Sequence, residues 1–259
     1  MDGKIMMKWV YLRPPYYEYG TKLPLMLPMD SHKHALITGS SGAGKSTALL
    51  FLFWNFLSSI IHSQGYRKGC IHVTFCDFKN SSDFWFLRPY AFYYTGEGVY
   101  NGIQAYHERF LTARQKGYST AHHLLIVDEY GALLNHLRAK DKEEKTHLAT
   151  DIISANAEIL MQGRSLSFSV WTVVQYATSD LFNGSRLNYM VNLSLGRQNK
   201  EQLGMLFSGE DIPRNRNYQP GEGLLLADGF PLLEVKNPKS VDEERWNQRI
   251  LDVLMENIS

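Results

Sequence analysis

From residue 34 onward, apolar positions fall into two alternating kinds of run. Short blocks such as "HALIT", "IHVTFC", "HLLIV", "FSVWTVV" and "YMVNLSL" are rich in β-branched and aromatic residues. They predict strands at 34–38, 71–76, 123–127, 168–174 and 189–195. Longer stretches with apolar residues every three or four positions predict helices at 45–62, 99–116, 146–162 and 199–207. Strands that are apolar throughout, alternating with helices, imply an α/β fold with a mainly parallel sheet flanked by helices. "GEGLLLADGFPLLEV" predicts a hairpin turning at Asp228-Gly229, and "VDEERWNQRILDVLMENI" a closing amphipathic helix. Ahead of residue 34, "YLRPPYYEYGTKLP" reads as an irregular arm leading to a short strand, "LPLMLP".

The first strand runs into "GSSGAGKST", which satisfies G-x-x-x-x-G-K-[ST] through Gly39, Gly44, Lys45 and Ser46. A strand before such a loop and a helix after it let backbone N–H groups and the helix N-terminus converge on phosphates. Gly39, Ser40, Ser41, Gly42, Ala43, Gly44, Lys45, Ser46 and Thr47 are therefore the candidate nucleotide-binding residues. Lys45 would reach the β- and γ-phosphates of ATP, and the Ser46 hydroxyl would ligate Mg²⁺.

"HHLLIVDEYG" ends an apolar strand in Asp128 and Glu129. One carboxylate at that place can hold Mg²⁺, making Asp128 the second metal candidate, and the next, Glu129, can act as general base toward water. The second acid favours ATP-hydrolysing motors over nucleotide kinases and GTPases. His122 and His123 just before the strand read as surface or edge residues. Gln175 ends "FSVWTVV" on the same rim, where its amide can orient the water or sense the γ-phosphate. Arg164, at the junction before that strand, suits a finger inserted into a neighbouring subunit's site, with Arg197 in "LSLGRQNKE" as the competing candidate.

Composition narrows the field. A net charge of +1 excludes global basicity as a nucleic-acid signal, leaving local patches. "HLRAKDKEEKTH" (136–147), with Arg138, Lys140, Lys142 and Lys145, is one candidate DNA-contacting segment, though its acids equally suit a solvated helix face; "DIPRNRNYQP", with Arg214 and Arg216, is another. The two cysteines, Cys70 and Cys76, match neither a zinc site nor a disulfide framework and suit a reducing, cytoplasmic setting. The most apolar run, "ALLFLFWNFLSSII", is too short to span a bilayer.

In series, "HKHALITGSSGAGKST", "FCDFKNSSDF", "LLIVDEYG", "LMQGRSLSFSVWTVVQ", "FNGSRLNYMVNLSLGRQNKEQLGMLF" and "GEGLLLADG" resemble the FtsK/HerA superfamily of ring-forming DNA-pumping ATPases, and most closely the TcpA-like coupling proteins of conjugative elements. The resemblance implies a RecA-like P-loop ATPase core at 31–240, after an arm and short strand at 1–30 and before a helix at 241–259. It also implies that Asp77 and Lys79 lie near the active rim. The function it implies is an ATP-dependent translocase of double-stranded DNA, working without sequence readout as a homo-oligomer, by expectation a hexamer. Neither the membrane helices nor the winged helix found in relatives is legible, so membrane attachment and sequence-specific loading are expected from partners, such as a relaxase or a membrane-anchored protein, or are expected to be absent. A viral genome-packaging ATPase and a nucleotide-switched adaptor for a DNA-processing complex are the alternatives. An ABC-type ATPase is disfavoured, since "LFSGED" is a poor substitute for its signature.

Overall fold

The computed structural model describes residues 4–213, 216–238 and 243–258. Strands are β1 (Met6–Leu12), β2 (Pro24–Pro28), β3 (Ala35–Gly39), β4 (Ile71–Asp77), β5 (Tyr93–Thr95), β6 (His122–Asp128), β7 (Phe168–Val174), β8 (Val191–Leu195), β9 (Glu222–Ala227) and β10 (Leu233–Lys236). Helices are α1 (Arg13–Tyr19), α2 (Lys45–Ile61), α3 (Gly98–Lys116), α4 (Tyr130–Glu144), α5 (Leu148–Gln162), α6 (Lys200–Leu206) and α7 (Glu243–Glu256).

All ten strands form one sheet in the order β2-β1-β10-β9-β8-β3-β7-β6-β4-β5. From β8 to β5 every neighbour is parallel, while β9, β10, β1 and β2 continue the sheet antiparallel. Alternate residues of the parallel strands enter opposite cores, as a sheet covered on both faces requires. Ala35 and Ile37 of β3 and Trp171 and Val173 of β7 join the core under α2 and α7; Leu36, Phe168 and Val170 join the one under α3, α4 and α5.

Three stretches depart from the sequence reading. The edge strand β5, three partly buried residues, leaves no pattern from which to predict it. The N-terminal arm is ordered as β1 and α1. Pro14 and Pro15 fall in the first turn of α1, where a missing N–H costs nothing. Trp9 of β1 is wholly buried against Trp171, ring centroids 5.8 Å apart. The charged segment after the acidic strand is α4, held by Leu133, Leu134 and Leu137 on its buried side. Of the cations in 136–147, Arg138 bonds Asp180 at 2.7 Å and Lys140 lies 3.3 Å from Glu97, as expected of an ion-paired, solvated helix face. The hairpin is present as β9 and β10, with Gly229 at φ 80 in its turn. Cys70 and Cys76 are buried free thiols. No helix among the described residues is long and apolar enough to cross a membrane.

Candidate nucleotide and hydrolysis site

Register brings the chemistry to one end of the sheet. Gly39 pairs with Leu195, Thr38 with Val174, and Asp77 with Asp128, so the loops that follow β3, β4, β6, β7 and β8 open on a common rim. Ligands bind at this carboxyl end in open α/β sheets. A cavity of about 500 Å³ lies there, lined by the phosphate loop, Lys79, Asp128, Glu129, Gln175 and a floor from Pro220, Gly221 and Asn237.

The loop winds from β3 into α2 with Gly42 at φ 76 and Gly44 at φ 89, left-handed backbone that favours glycine. Gly44 is fixed twice over, because a Cβ there would stand 2.8 Å from the backbone nitrogen of Gly221. The Gly221 N–H donates to the Ala43 carbonyl at 2.9 Å, tying the β9 approach to the loop. The Lys45 ammonium lies inside its own loop, donating to the carbonyls of Gly39 (2.6 Å) and Ser40 (3.0 Å). Burial lowers its pKa, against the raising pull of Glu129 and Asp128.

Asp128 is 7 % exposed. Burial first, then the charges of Glu129 and Asp77, push its carboxyl up to about 7, with Lys45 pulling the other way. A raised native pKa means the unfolded chain ionises first, so this group destabilises the fold increasingly between about pH 4 and pH 7, and by a constant amount above. Asp128→Asn should consequently raise the melting temperature of the nucleotide-free protein, by about 2–6 °C near pH 8 and less near pH 4.5. Melting curves at the two pH values check this; a gain that does not grow with pH would mean Asp128 is not the strained group.

Glu129 leaves β6 in the left-handed region, φ 56, a conformation that costs a non-glycine residue about 1–2 kcal/mol. That kink directs its side chain into the cavity at the head of α4. The Gln175 amide donates to both carboxylate oxygens at 3.3 and 3.4 Å, and the Lys79 ammonium lies 2.8 Å from Oε1. The Glu129 carboxylate, the Gln175 amide and the Lys79 ammonium thus stand together on the cavity that the phosphate loop also lines. As the resemblance implied, Lys79 and Asp77 are at the rim, Lys79 on the cavity wall and Asp77 buried beside Asp128.

Mg²⁺ fits this donor set. Ser46 and Asp128 line the same cavity, and the described residues hold no cluster of three or more metal-ligating side chains. A hydroxyl and a carboxylate on one cavity are oxygen donors of the kind Mg²⁺ takes.

The arginines lie elsewhere. Arg164 occupies the turn before β7, exposed, at the end of the sheet opposite the phosphate loop. The length of β7 separates it from Gln175 by roughly 20 Å, so it is out of reach of its own chain's cavity. It borders a larger open cleft of about 1030 Å³ with Arg114 and the exposed Leu187. Arg197 follows β8 on the phosphate-loop rim, facing a separate cleft with Lys200, Arg216 and Tyr218. Arg216 lies 3.3 Å from Glu234, and Arg214 is outside the described residues.

Two features escape sequence reasoning, one at the cavity and one at the far end of β6. Pro220, Gly221 and Asn237 reach the cavity only because β9 and β10 fold beside β8; "PGEG" is the one local signal, a turn ahead of a strand. His123 is a core residue and not a surface one. It stacks on Phe168 at 3.9 Å, bonds the Ser119 hydroxyl at 2.9 Å, and burial pushes its pKa down to about 2.

Fold and site together define a RecA-like P-loop ATPase architecture. No protein-family model matches the chain, and no curated protein matches it significantly. Solved structures of FtsK/HerA-type ATPases do. EssC (ATPases 2 and 3) from Geobacillus thermodenitrificans is similar with a TM-score of 0.69 at 16 % identity, covering 100 % of this chain and 50 % of its own. The pCW3 conjugation coupling protein TcpA, in a monomer form with ATPγS, is similar with a TM-score of 0.69 at 14 % identity, over 98 % of this chain and 71 % of its own. The cytoplasmic domain of the Thermomonospora curvata Type VII secretion ATPase EccC gives 0.62 at 15 % identity, over 99 % and 31 %. This chain thus spans about half the length of the first of these neighbours.

Proposed function

We propose that the chain is an ATP-hydrolysing motor, assembled as a homo-oligomeric ring, a hexamer, that moves double-stranded DNA without reading its sequence. The observation that carries the ATPase part is the convergence of Lys45, Ser46, Asp128, Glu129 and Gln175 on one cavity. Loop N–H groups and Lys45 bind the phosphates, and Ser46 and Asp128 would hold Mg²⁺. That cation neutralises phosphate charge when bound. Glu129 accepts the proton of a water whose oxygen bonds the γ-phosphorus as the bond to the β-phosphate oxygen breaks, releasing ADP and phosphate. Gln175 keeps the carboxylate turned to that water and links it to β7. Arg164 of a neighbouring subunit steadies the transferring phosphoryl group, with Arg197 as the second candidate.

DNA as cargo rests on the motif series and accords with the shared fold of the pCW3 coupling protein. Conjugative or mobile-element transfer is the use it suits, on the cytoplasmic side, with a relaxase or membrane-anchored protein as partner. EccC, a secretion ATPase by name, has the same fold to a similar degree, so a polypeptide cargo is the competing reading. A nucleotide-switched adaptor would not require the base that Glu129 provides.

The experiment is the ATPase rate of the assembled protein with and without linear duplex DNA, alongside its mass in solution. Duplex DNA is expected to stimulate turnover in an assembly of several subunits, with stimulation weakening as salt rises because phosphate contacts release counterions. Turnover indifferent to DNA at every salt concentration would remove DNA as the cargo and leave the ATPase standing.

A further inference from the structure

Lys79 has no step in the reaction above, yet its surroundings are built. Asp77, at the end of β4, is wholly buried. Its Oδ2 accepts the Ser81 backbone N–H at 2.7 Å and the Tyr93 hydroxyl at 2.9 Å. The Asn80 N–H returns to the Asp77 carbonyl at 3.2 Å, and Asn80 stands at φ 52. The Trp85 indole closes the turn from outside, donating to the Asn80 carbonyl at 3.1 Å. Residues 78–81 are therefore wound back on the strand end by a buried carboxylate, and the side chain that this turn delivers to the cavity is Lys79.

The Lys79 ammonium meets Glu129 Oε1 at 2.8 Å with the lysine side chain 50 % exposed. A half-exposed pair of this kind contributes about 0–1 kcal/mol to stability, too little to account for the buried scaffold beneath it. Its geometric effect is larger. Glu129 is held by Lys79 on one oxygen and by the Gln175 amide across both, so the two donors fix the carboxylate plane. The backbone strain at Glu129 has the same consequence, since it commits the residue to this direction.

We propose that Lys79 is a positioning residue for the hydrolytic base. Its ammonium, placed by the Asp77 turn, turns the Glu129 carboxylate toward the attacking water, and it acts through Glu129 rather than on the nucleotide. This rests on the ATPase reading above.

The test measures kcat and KM for ATP in the assembled wild type, Lys79→Met, Lys79→Arg, Glu129→Gln and the Lys79→Met/Glu129→Gln double variant. Misplacement of a reacting group by about 1 Å can cost about 10²-fold, so Lys79→Met should lose about 10- to 100-fold in kcat. KM should stay within about twofold, and Lys79→Arg should recover most of the loss. In the double variant, Lys79→Met should add nothing to the Glu129→Gln loss, because residues acting through one group are not additive. A rise in KM with kcat unchanged would make Lys79 a phosphate ligand and overturn the proposal, as would a full additive loss in the double variant. Wild-type kcat in Lys79→Met would sink the proposal alone, whereas a wild type without ATPase activity would sink the parent reading.

Discussion

Glu129→Gln is expected to lower the rate of ATP hydrolysis by about 10²–10⁴-fold while ATP binding is retained. The substitution preserves shape, removes the proton acceptor, and leaves Lys45 and the loop N–H groups untouched. It also deletes the ion pair with Lys79, but that ammonium is half exposed and water solvates it, so the fold should be unaffected. Gln175 keeps a carbonyl oxygen to donate to. Single-turnover hydrolysis together with equilibrium binding of a fluorescent ATP analogue separates the two effects. Undiminished turnover would remove Glu129 as the base; loss of binding as well would assign it a part in holding the nucleotide.

Most of the parallel half is legible because β3, β4, β6, β7 and β8 are largely buried on both faces and carry apolar runs, whereas β5, three partly buried residues at the sheet edge, is too short to leave a pattern. "HALIT", "HLLIV" and "FSVWTVV" each lie at a strand in the sheet. The remaining elements are legible only with tertiary context. β1 carries a short apolar run, "WVYL", but it leads straight into "RPPYY" and so reads as part of the arm; its place in the sheet depends on pairing with β10, more than two hundred residues away. α4 is charged along its exposed side and carries only a narrow leucine stripe, so its periodicity is swamped by Lys and Glu. The two prolines of α1 read as breakers, and only their position in the first turn makes them helix-compatible.

The site divides in the same way. The phosphate loop, Asp128, Glu129 and Gln175 stand at strand ends, and a parallel sheet puts strand ends together; once the strands are placed, their meeting follows. Pro220, Gly221 and Asn237 come from antiparallel strands added beyond β8, whose register no local pattern sets. The link from Lys79 to Glu129 depends on how the turn after β4 is wound, which is decided by a buried carboxylate four residues from the N–H it accepts.

Arg164→Ala is expected to lower turnover by about 10³–10⁵-fold, the span observed for arginine fingers. Because the length of β7 holds Arg164 roughly 20 Å from Gln175 and the cavity of its own chain, any effect of that size has to arrive from another subunit. Arg164 is exposed on a surface turn and makes no ion pair among the described residues, so its removal should change stability by less than about 0.5 kcal/mol. Complementation makes the prediction decisive. Lys45→Ala subunits retain the arginine but have a crippled phosphate loop; Arg164→Ala subunits retain the loop but offer no finger. Each alone should be nearly silent. Mixed in equal amounts before assembly, roughly a quarter of head-to-tail junctions pair an intact loop with an intact arginine, and turnover should return to about that fraction of wild type. A mixture as inactive as its components would remove Arg164 from the neighbouring site. If Arg197→Ala alone were silent and regained turnover when mixed with Lys45→Ala, the role would pass to the arginine after β8.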